Sequence, residues 1–147
     1  MTKHWRLLAL PVLLATACGT GAGSGGEVCT KVGGYSGVGV QWDPADFMDE
    51  VRKGPLHVRI CAQETCREYD VEKLDPDPRP SFFIELKKDI GAVSVPVRVT
   101  VSAQGRELYD ERATVKLRKS QPNGENCEPT LYQGRVTADP ERGLVTR

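Results

Sequence analysis

The side chains able to do chemistry are few and unevenly placed. Five cysteines stand at 18, 29, 61, 66 and 127, and the two histidines are His4 and His57. Acids gather as Asp43, Asp46, Asp49 and Glu50, and again as Asp75-Pro76-Asp77. A serine or cysteine nucleophile needs an imidazole base. Beyond the first few residues that base is His57 alone, so Ser-His-Asp or Cys-His chemistry would have to pass through it. Calcium needs several oxygens converging on one point, commonly with a glycine at a sharp turn. Neither acidic stretch has that spacing, and the prolines around Asp75 and Asp77 suit a rigid loop. Paired carboxylates working in hydrolysis are the enzymatic option that is left. Phosphate cradles, dinucleotide fingerprints and zinc-helix motifs are absent. Gly33-Gly34-Tyr35-Ser36-Gly37 has no helix directly after it and reads as a flexible turn. No metal or other cofactor is called for, and no catalytic residue is assigned.

The cysteine at 18 has a different character from the rest. Lys3 and Arg6 precede an uncharged, mostly apolar run from Leu7 to Ala17, which stops at Cys18. Eleven residues rise roughly 16 Å as a helix, about half of a hydrocarbon core, so the run does not span a bilayer. A basic start, a short apolar stretch and small residues at its end describe a secretory signal peptide over residues 1–17. Ala15-Thr16-Ala17-Cys18 resembles a bacterial lipobox. That resemblance implies that Cys18 carries diacylglycerol and a fatty acyl chain such as palmitate, and becomes the new N-terminus. Ala15-Thr16-Ala17 also fits an ordinary A-x-A cleavage site, which would release a secreted protein. Residues 18–26 then form the lipidated cysteine and a Gly-rich leash, whose eight residues after Cys18 reach roughly 16 Å as a coil.

The other four cysteines are an even set, as an oxidising compartment requires. Cys61-Ala-Gln-Glu-Thr-Cys66 has a hairpin reading. With a two-residue turn at Gln63-Glu64, Ala62 pairs with Thr65 and Cys61 faces Cys66 at disulfide distance. The same register sets Arg59 against Glu68 and His57 against Asp70 on one face, and Val58 against Tyr69 and Leu56 against Val71 on the other. Complementary charges outside and apolar pairs inside suit a half-buried hairpin. Neither turn residue favours positive φ, so a longer loop or a bulge is the alternative. Of three possible pairings, this hairpin selects Cys61 with Cys66 and leaves Cys29 with Cys127. Four thiolates on zinc would need close C-x2-C spacing, which Cys29 and Cys127 lack.

The elements that must hold these groups are mostly short alternating runs, the signal of strands. Val28, Thr30 and Val32 alternate, as do Val38, Val40 and Trp42; Leu56, Val58 and Ile60; and Phe82, Ile84 and Leu86. Five valines alternate from Val93 to Val101, followed by Ala113, Val115 and Leu117, then by Leu131–Val136 and Leu144–Thr146. Seven to nine strands with one apolar face each predict an all-β, two-sheet immunoglobulin-like sandwich over residues 27–147. Pro96 belongs near a strand start or at an edge. Asp43-Pro44-Ala45-Asp46 reads as a helix start and Gly54-Pro55 as its end. A short connecting helix over 44–52 would cap the sandwich with Phe47, Met48 and Val51. Leu74–Pro80 is an irregular loop.

The chain has 147 residues with 20 basic and 20 acidic side chains. That length suits one domain and excludes a large multi-domain enzyme. Zero net charge argues against a dedicated nucleic-acid binder. Apolar residues at 39% are too many for a disordered chain and too few for a multi-span membrane protein. Loss of residues 1–17 removes Lys3 and Arg6 and leaves a slightly acidic chain. Cys18, the leash, Cys61, Cys66 and Pro122-Asn123-Gly124-Glu125-Asn126-Cys127 together resemble the small secreted lipoproteins of actinobacteria, whose hairpin turn is typically Asp-Gly where this chain has Gln63-Glu64. The resemblance implies an immunoglobulin-like or transthyretin-like sandwich and lends no catalytic residue. The expectation is a non-catalytic binding or structural domain outside the cytoplasm, held to the cell membrane through Cys18. An envelope protein or a glycan would be its partner, with Tyr35, Trp42 and Tyr132 as candidate surface aromatics, although Trp42 also suits the core. The alternative is a small secreted hydrolase using surface carboxylates.

Overall fold

A computed structural model describes residues 29–73 and 81–147. The expected signal over residues 1–17, Cys18, the expected leash to residue 26 and the residues Asp75 and Asp77 lie outside the described residues.

Alternating sequence becomes alternating burial in a two-sheet sandwich. The strands are β1 (Gly37–Trp42), β2 (Leu56–Ala62), β3 (Thr65–Val71), β4 (Ser81–Glu85), β5 (Ser94–Ala103), β6 (Arg106–Lys116), β7 (Arg118–Ser120), β8 (Leu131–Asp139) and β9 (Gly143–Thr146). One sheet has the order β4-β1-β8-β7, with β9 also paired to β8, and the other has the order β3-β2-β5-β6. The paired strands are antiparallel except for β1 and β8, which run side by side in the same direction.

The core is made from the alternating positions. Val38, Val40 and Trp42 of β1 meet Leu56, Val58 and Ile60 of β2 and Val95, Val97, Val99 and Val101 of β5 in one buried cluster. Val93, the fifth valine of that run, precedes β5 and is 42% exposed. Its carbonyl instead accepts from Leu117 N at 2.8 Å, closing the β5–β6 pairing beyond the strand ends. β1 lies so close to β4 that a Cβ on Gly37 would stand 2.1 Å from the Ile84 carbonyl oxygen. Glycine is required there by the approach of another backbone.

The hairpin follows the expected register at all seven pairs from Leu56↔Val71 to Ala62↔Thr65. The tight turn forms, with Gln63 taking φ of 52°. Gln63 N donates to Pro96 O at 3.0 Å. That bond also explains Pro96, the third residue of β5. In an antiparallel ladder one residue's N and O face the same side, so the missing proline donor faces the turn rather than a ladder partner. The β5–β6 connection is Gln104-Gly105, with φ of 51° and 75°, the two positive values that a I′ hairpin turn demands.

Two segments differ from expectation. The stretch 44–52 divides into a 3-10 turn at Pro44–Phe47 and a single α-helical turn at Met48–Val51. Phe47 is buried and Val51 packs on the core, but Met48 does not join it. The stretch around Thr30 and Val32 forms no strand. Its hydrogen bonds go to one side chain instead. Asn123, 6% exposed, accepts at Oδ1 from Thr30 Oγ1 and from Val32 N, both at 2.8 Å, and donates from Nδ2 to Val32 O at 3.0 Å and to Glu128 O. An amide that answers both backbone groups of Val32 replaces a ladder partner.

Both disulfides join the expected pairs. Cys61–Cys66 has a Cα separation of 4.0 Å, and Cys29–Cys127 has 5.6 Å across 98 residues of sequence. Closing so long a loop is worth on the order of 4–5 kcal/mol in the chain-entropy model. Asn123 and the Cys29–Cys127 bridge fasten the same segment to the same loop. Replacing Asn123 with Ala should lower the free energy of unfolding in urea by about 2 kcal/mol, because buried backbone groups lose their partners. A loss of under about 0.5 kcal/mol would show that the disulfide alone holds the segment.

Candidate functional site

The parallel pair β1–β8 brings two acid-rich turns together. Gln41 stands against Thr137 and Trp42 against Ala138 at the finishing ends of the strands. From Trp42 the chain enters the 3-10 turn, closed by Asp46 N donating to Asp43 O at 3.1 Å. From β8 it turns through Asp139-Pro140-Glu141-Arg142 into β9. Between the two turns lies a cavity of about 500 Å³, lined by Trp42, Asp43, Asp46, Thr137, Glu141 and Arg147 among others.

Asp139 builds the second turn. Its Oδ1 accepts from the backbone N of Glu141 and of Arg142, both at 3.0 Å, and its Oδ2 accepts from Arg142 Nε at 2.7 Å. Gly143, with φ of 75°, completes the reversal. The Arg142 side chain and those backbone donors hold the Asp139 carboxyl below the usual carboxylate range. Asp46 is shifted the other way: desolvation raises its pKa, followed by the charges of Asp43, Asp139 and Glu141. The cavity therefore holds one carboxyl whose charged form its own turn favours and another whose charged form is disfavoured, first by desolvation and then by neighbouring acids.

The floor is aromatic. Trp42 is 3% exposed, packed 5.2 Å from the Phe47 ring and 5.5 Å from Phe82 in an edge-on contact. Phe47 in turn meets Tyr109 edge-on at 6.4 Å. Trp42 is a core residue, as its alternation implies. Its Nε1 is nevertheless buried without a hydrogen-bond partner, and the same holds for Thr137 Oγ1. Tyr109 points its hydroxyl toward the backbone of Asp139, short of hydrogen-bond geometry, and burial pushes the phenol up to about 12.

The four acids grouped in the sequence separate. Asp43 and Asp46 line the cavity, whereas Asp49 pairs with Arg52 at 3.4 Å and Glu50 with Lys53 at 3.1 Å and Arg106 at 3.4 Å. Among the described residues no group of three or more His, Cys, Asp and Glu is arranged to hold a metal ion. The candidate aromatics separate too. Tyr35, 63% exposed, precedes β1, and its carbonyl accepts from Gln133 Nε2 at 2.9 Å. Tyr132 lies partly buried at that same end, so neither shares a surface with Trp42.

His57 sits on the outer face of the other sheet, its Nδ1 against Asp70 Oδ1, with both side chains more than half exposed. Arg59 and Glu68 pair beside it at 3.6 Å, and Arg98 Nε donates to Asp110 at 2.7 Å further across. Ser102 of β5 stands opposite His57, which aligns Asp70, His57 and Ser102 across three strands. No hydrogen bond joins Ser102 to the imidazole, and an open sheet face supplies no water-excluded setting for a nucleophile.

Thr137, Asp139, Glu141, Arg142 and Arg147 were not singled out by sequence. The signal that could have found them is the Asp-Pro-x-Arg-Gly turn following an alternating strand. Among the described residues no helix is long and apolar enough to cross a membrane. No family model, curated protein or solved structure matches the chain.

A raised carboxyl makes a pH prediction. The folded state holds the Asp46 proton more tightly than the unfolded state, whose value lies near 3.8. The resulting stability is complete below that value and is lost as pH rises through the folded one. Asp46→Asn should therefore raise Tm at pH 7 and leave it unchanged at pH 3, measured by calorimetry. A fall at pH 7 would mean that the ionised carboxylate is held by a favourable partner.

Proposed function

We propose that this protein is a lipid-anchored, extracytoplasmic binding domain of the bacterial cell envelope, with residues 1–17 as signal, residues 18–26 as lipidated cysteine and leash, and residues 27–147 as one domain. One observation carries the reading. Cys29, eleven residues after Cys18, is bridged to Cys127 at the end of the sandwich where β1 and β8 start, and the cavity opens where both strands finish. A chain tethered through Cys18 would present this cavity away from the membrane, and the one beside Glu128 and Tyr132 toward it. Binding sites on sandwiches commonly sit in end loops placed by a rigid scaffold.

The anchor is tested by growing cells that express the protein with labelled palmitate. The wild-type chain should take up label and sediment with membranes, and Cys18→Ala should lose both properties. A wild-type chain without label, or a variant still bound to membranes, overturns the anchor and favours release by cleavage after Ala17.

A second reading, a small secreted hydrolase, draws support from the same cavity. Asp46 is raised toward the protonated form beside Asp43 and Glu141, and unequal carboxyls are the raw material of acid and base roles. Turnover of chromogenic glycosides that disappears in Asp46→Asn would favour it. Absence of turnover across such substrates would favour the binding domain.

A further inference from the structure

We propose that the Cys61–Cys66 bridge is a site of thiol–disulfide exchange, with a small thiol that carries a carboxylate as its co-reactant. The inference stands whether or not Cys18 is acylated. The two bridges of this chain have different surroundings. Cys127 is 3% exposed, and its bond to Cys29 closes 98 residues of sequence. Cys66 is exposed and Cys61 partly buried, both on the face of the hairpin opposite the core positions Val58, Ile60 and Ala62. Their sequence separation is 5, and so short a cross-link restrains the unfolded chain far less than one over 98 residues. The seven residue pairs from Leu56↔Val71 to Ala62↔Thr65 hold β2 to β3 alongside the bond, so opening it leaves the ladder in place.

The register also sets what lies beside the sulfurs. Cys66 stands against Cys61, Cys61 against Arg98, and Arg98 against Arg112, so the four form one row across the outer face. All four line a cavity of about 610 Å³, with Glu64 of the turn as its one acid. Arg98 is engaged by Asp110, whereas Arg112 is in no salt bridge among the described residues. Guanidinium groups pair with carboxylates, and a thiol whose carboxylate rests on Arg112 can reach Cys61 with its sulfur. Cys66 lies on β3, the edge strand of its sheet, where a departing thiolate meets water. The lone pair of the incoming thiolate forms a bond to Cys61 Sγ. The Cys61–Cys66 bond breaks, and its electron pair leaves on Cys66 Sγ, which takes a proton from water. A second thiolate then attacks the sulfur of the first small thiol and frees Cys61. Two small thiols become one disulfide as the bridge becomes two thiols, a transfer of two electrons.

The full chain would carry Cys18→Ala, which leaves the four bridge cysteines as its only ones. It would be incubated with mercaptoacetate or with cysteamine, thiols of similar size and opposite charge, then quenched with excess iodoacetamide for peptide mass spectrometry. Each rate would be divided by the rate of the same thiol with hydroxyethyl disulfide, which removes differences in intrinsic reactivity. Cys61–Cys66 should open about tenfold faster than Cys29–Cys127. The trapped intermediate should carry mercaptoacetate on Cys61 and the alkyl group on Cys66. After the correction mercaptoacetate should exceed cysteamine about threefold, and Arg112→Gln should make the two equal. Arg112 is exposed, so its replacement leaves the fold intact. The proposal is overturned if Cys29–Cys127 opens as fast, or if the adduct sits on Cys66. It is equally overturned if cysteamine matches mercaptoacetate on the parent chain, or if Arg112→Gln keeps the preference.

Discussion

The parallel pairing of β1 with β8 is the constraint on which the rest of the structure depends. Hairpins and meanders produce antiparallel neighbours with their turns at alternating ends. Two strands far apart in sequence that run together have both starts at one end and both finishes at the other. Here that single pairing places the Cys29–Cys127 bridge and the Asn123 amide at one pole, and Trp42, Thr137 and the two acidic turns at the other. Everything assigned to attachment and everything assigned to recognition follows from which ends those strands share.

The poles differ in how their polar groups are answered. At the pole of the Cys29–Cys127 bridge one amide meets four partners, the bridge adds a covalent tie, and Ser36 both donates to Lys88 O and accepts from Tyr132 N. At the other pole a tryptophan N–H and a threonine hydroxyl are buried without partners, and a carboxyl is held against its neighbours' charges. Among the described residues, the buried side-chain polar atoms without partners belong to Trp42, Tyr109 and Thr137. The sheet carrying β3-β2-β5-β6 contributes a wall: its outer face carries solvated ion pairs that add little to stability, and its inner face is mostly valine, leucine and isoleucine, with Ala62, Ala103 and Tyr109 among them.

Much of this was legible in the sequence, for physical reasons that differ by element. The Cys61–Cys66 hairpin could be written residue by residue because both of its faces and its cysteines imposed the same register. The alternation of Val95 to Val101 fixed a strand because a period of two has one structural meaning at that length. Thr30 and Val32 misled because they alternate like a strand, while their partner is the amide of Asn123, some ninety residues away, which no local pattern announces. The helix over 44–52 broke into a 3-10 turn and one α turn because the stretch is too short for propensity to outweigh the docking of Phe47. The cavity was half visible. Asp43 and Asp46 stood out as acids, but Thr137, Glu141 and Arg147 reach them through the β1–β8 register, a long-range pairing with no hairpin to reveal it.

The central claim is that attachment and recognition occupy opposite ends of one sandwich. Fluorescence of Trp42 in lipid vesicles tests it most directly, because the chain lacking residues 1–17 has Trp42 as its only tryptophan. The acylated protein would be reconstituted with lipids carrying a quencher at the headgroup. The account predicts Trp42 emission as unquenched as that of the same protein in vesicles without the quencher, since the length of β8, about 26 Å at the usual rise per residue, separates the indole from the tethered pole. Strong quenching of Trp42 by the headgroup label would place the cavity against the membrane and contradict it.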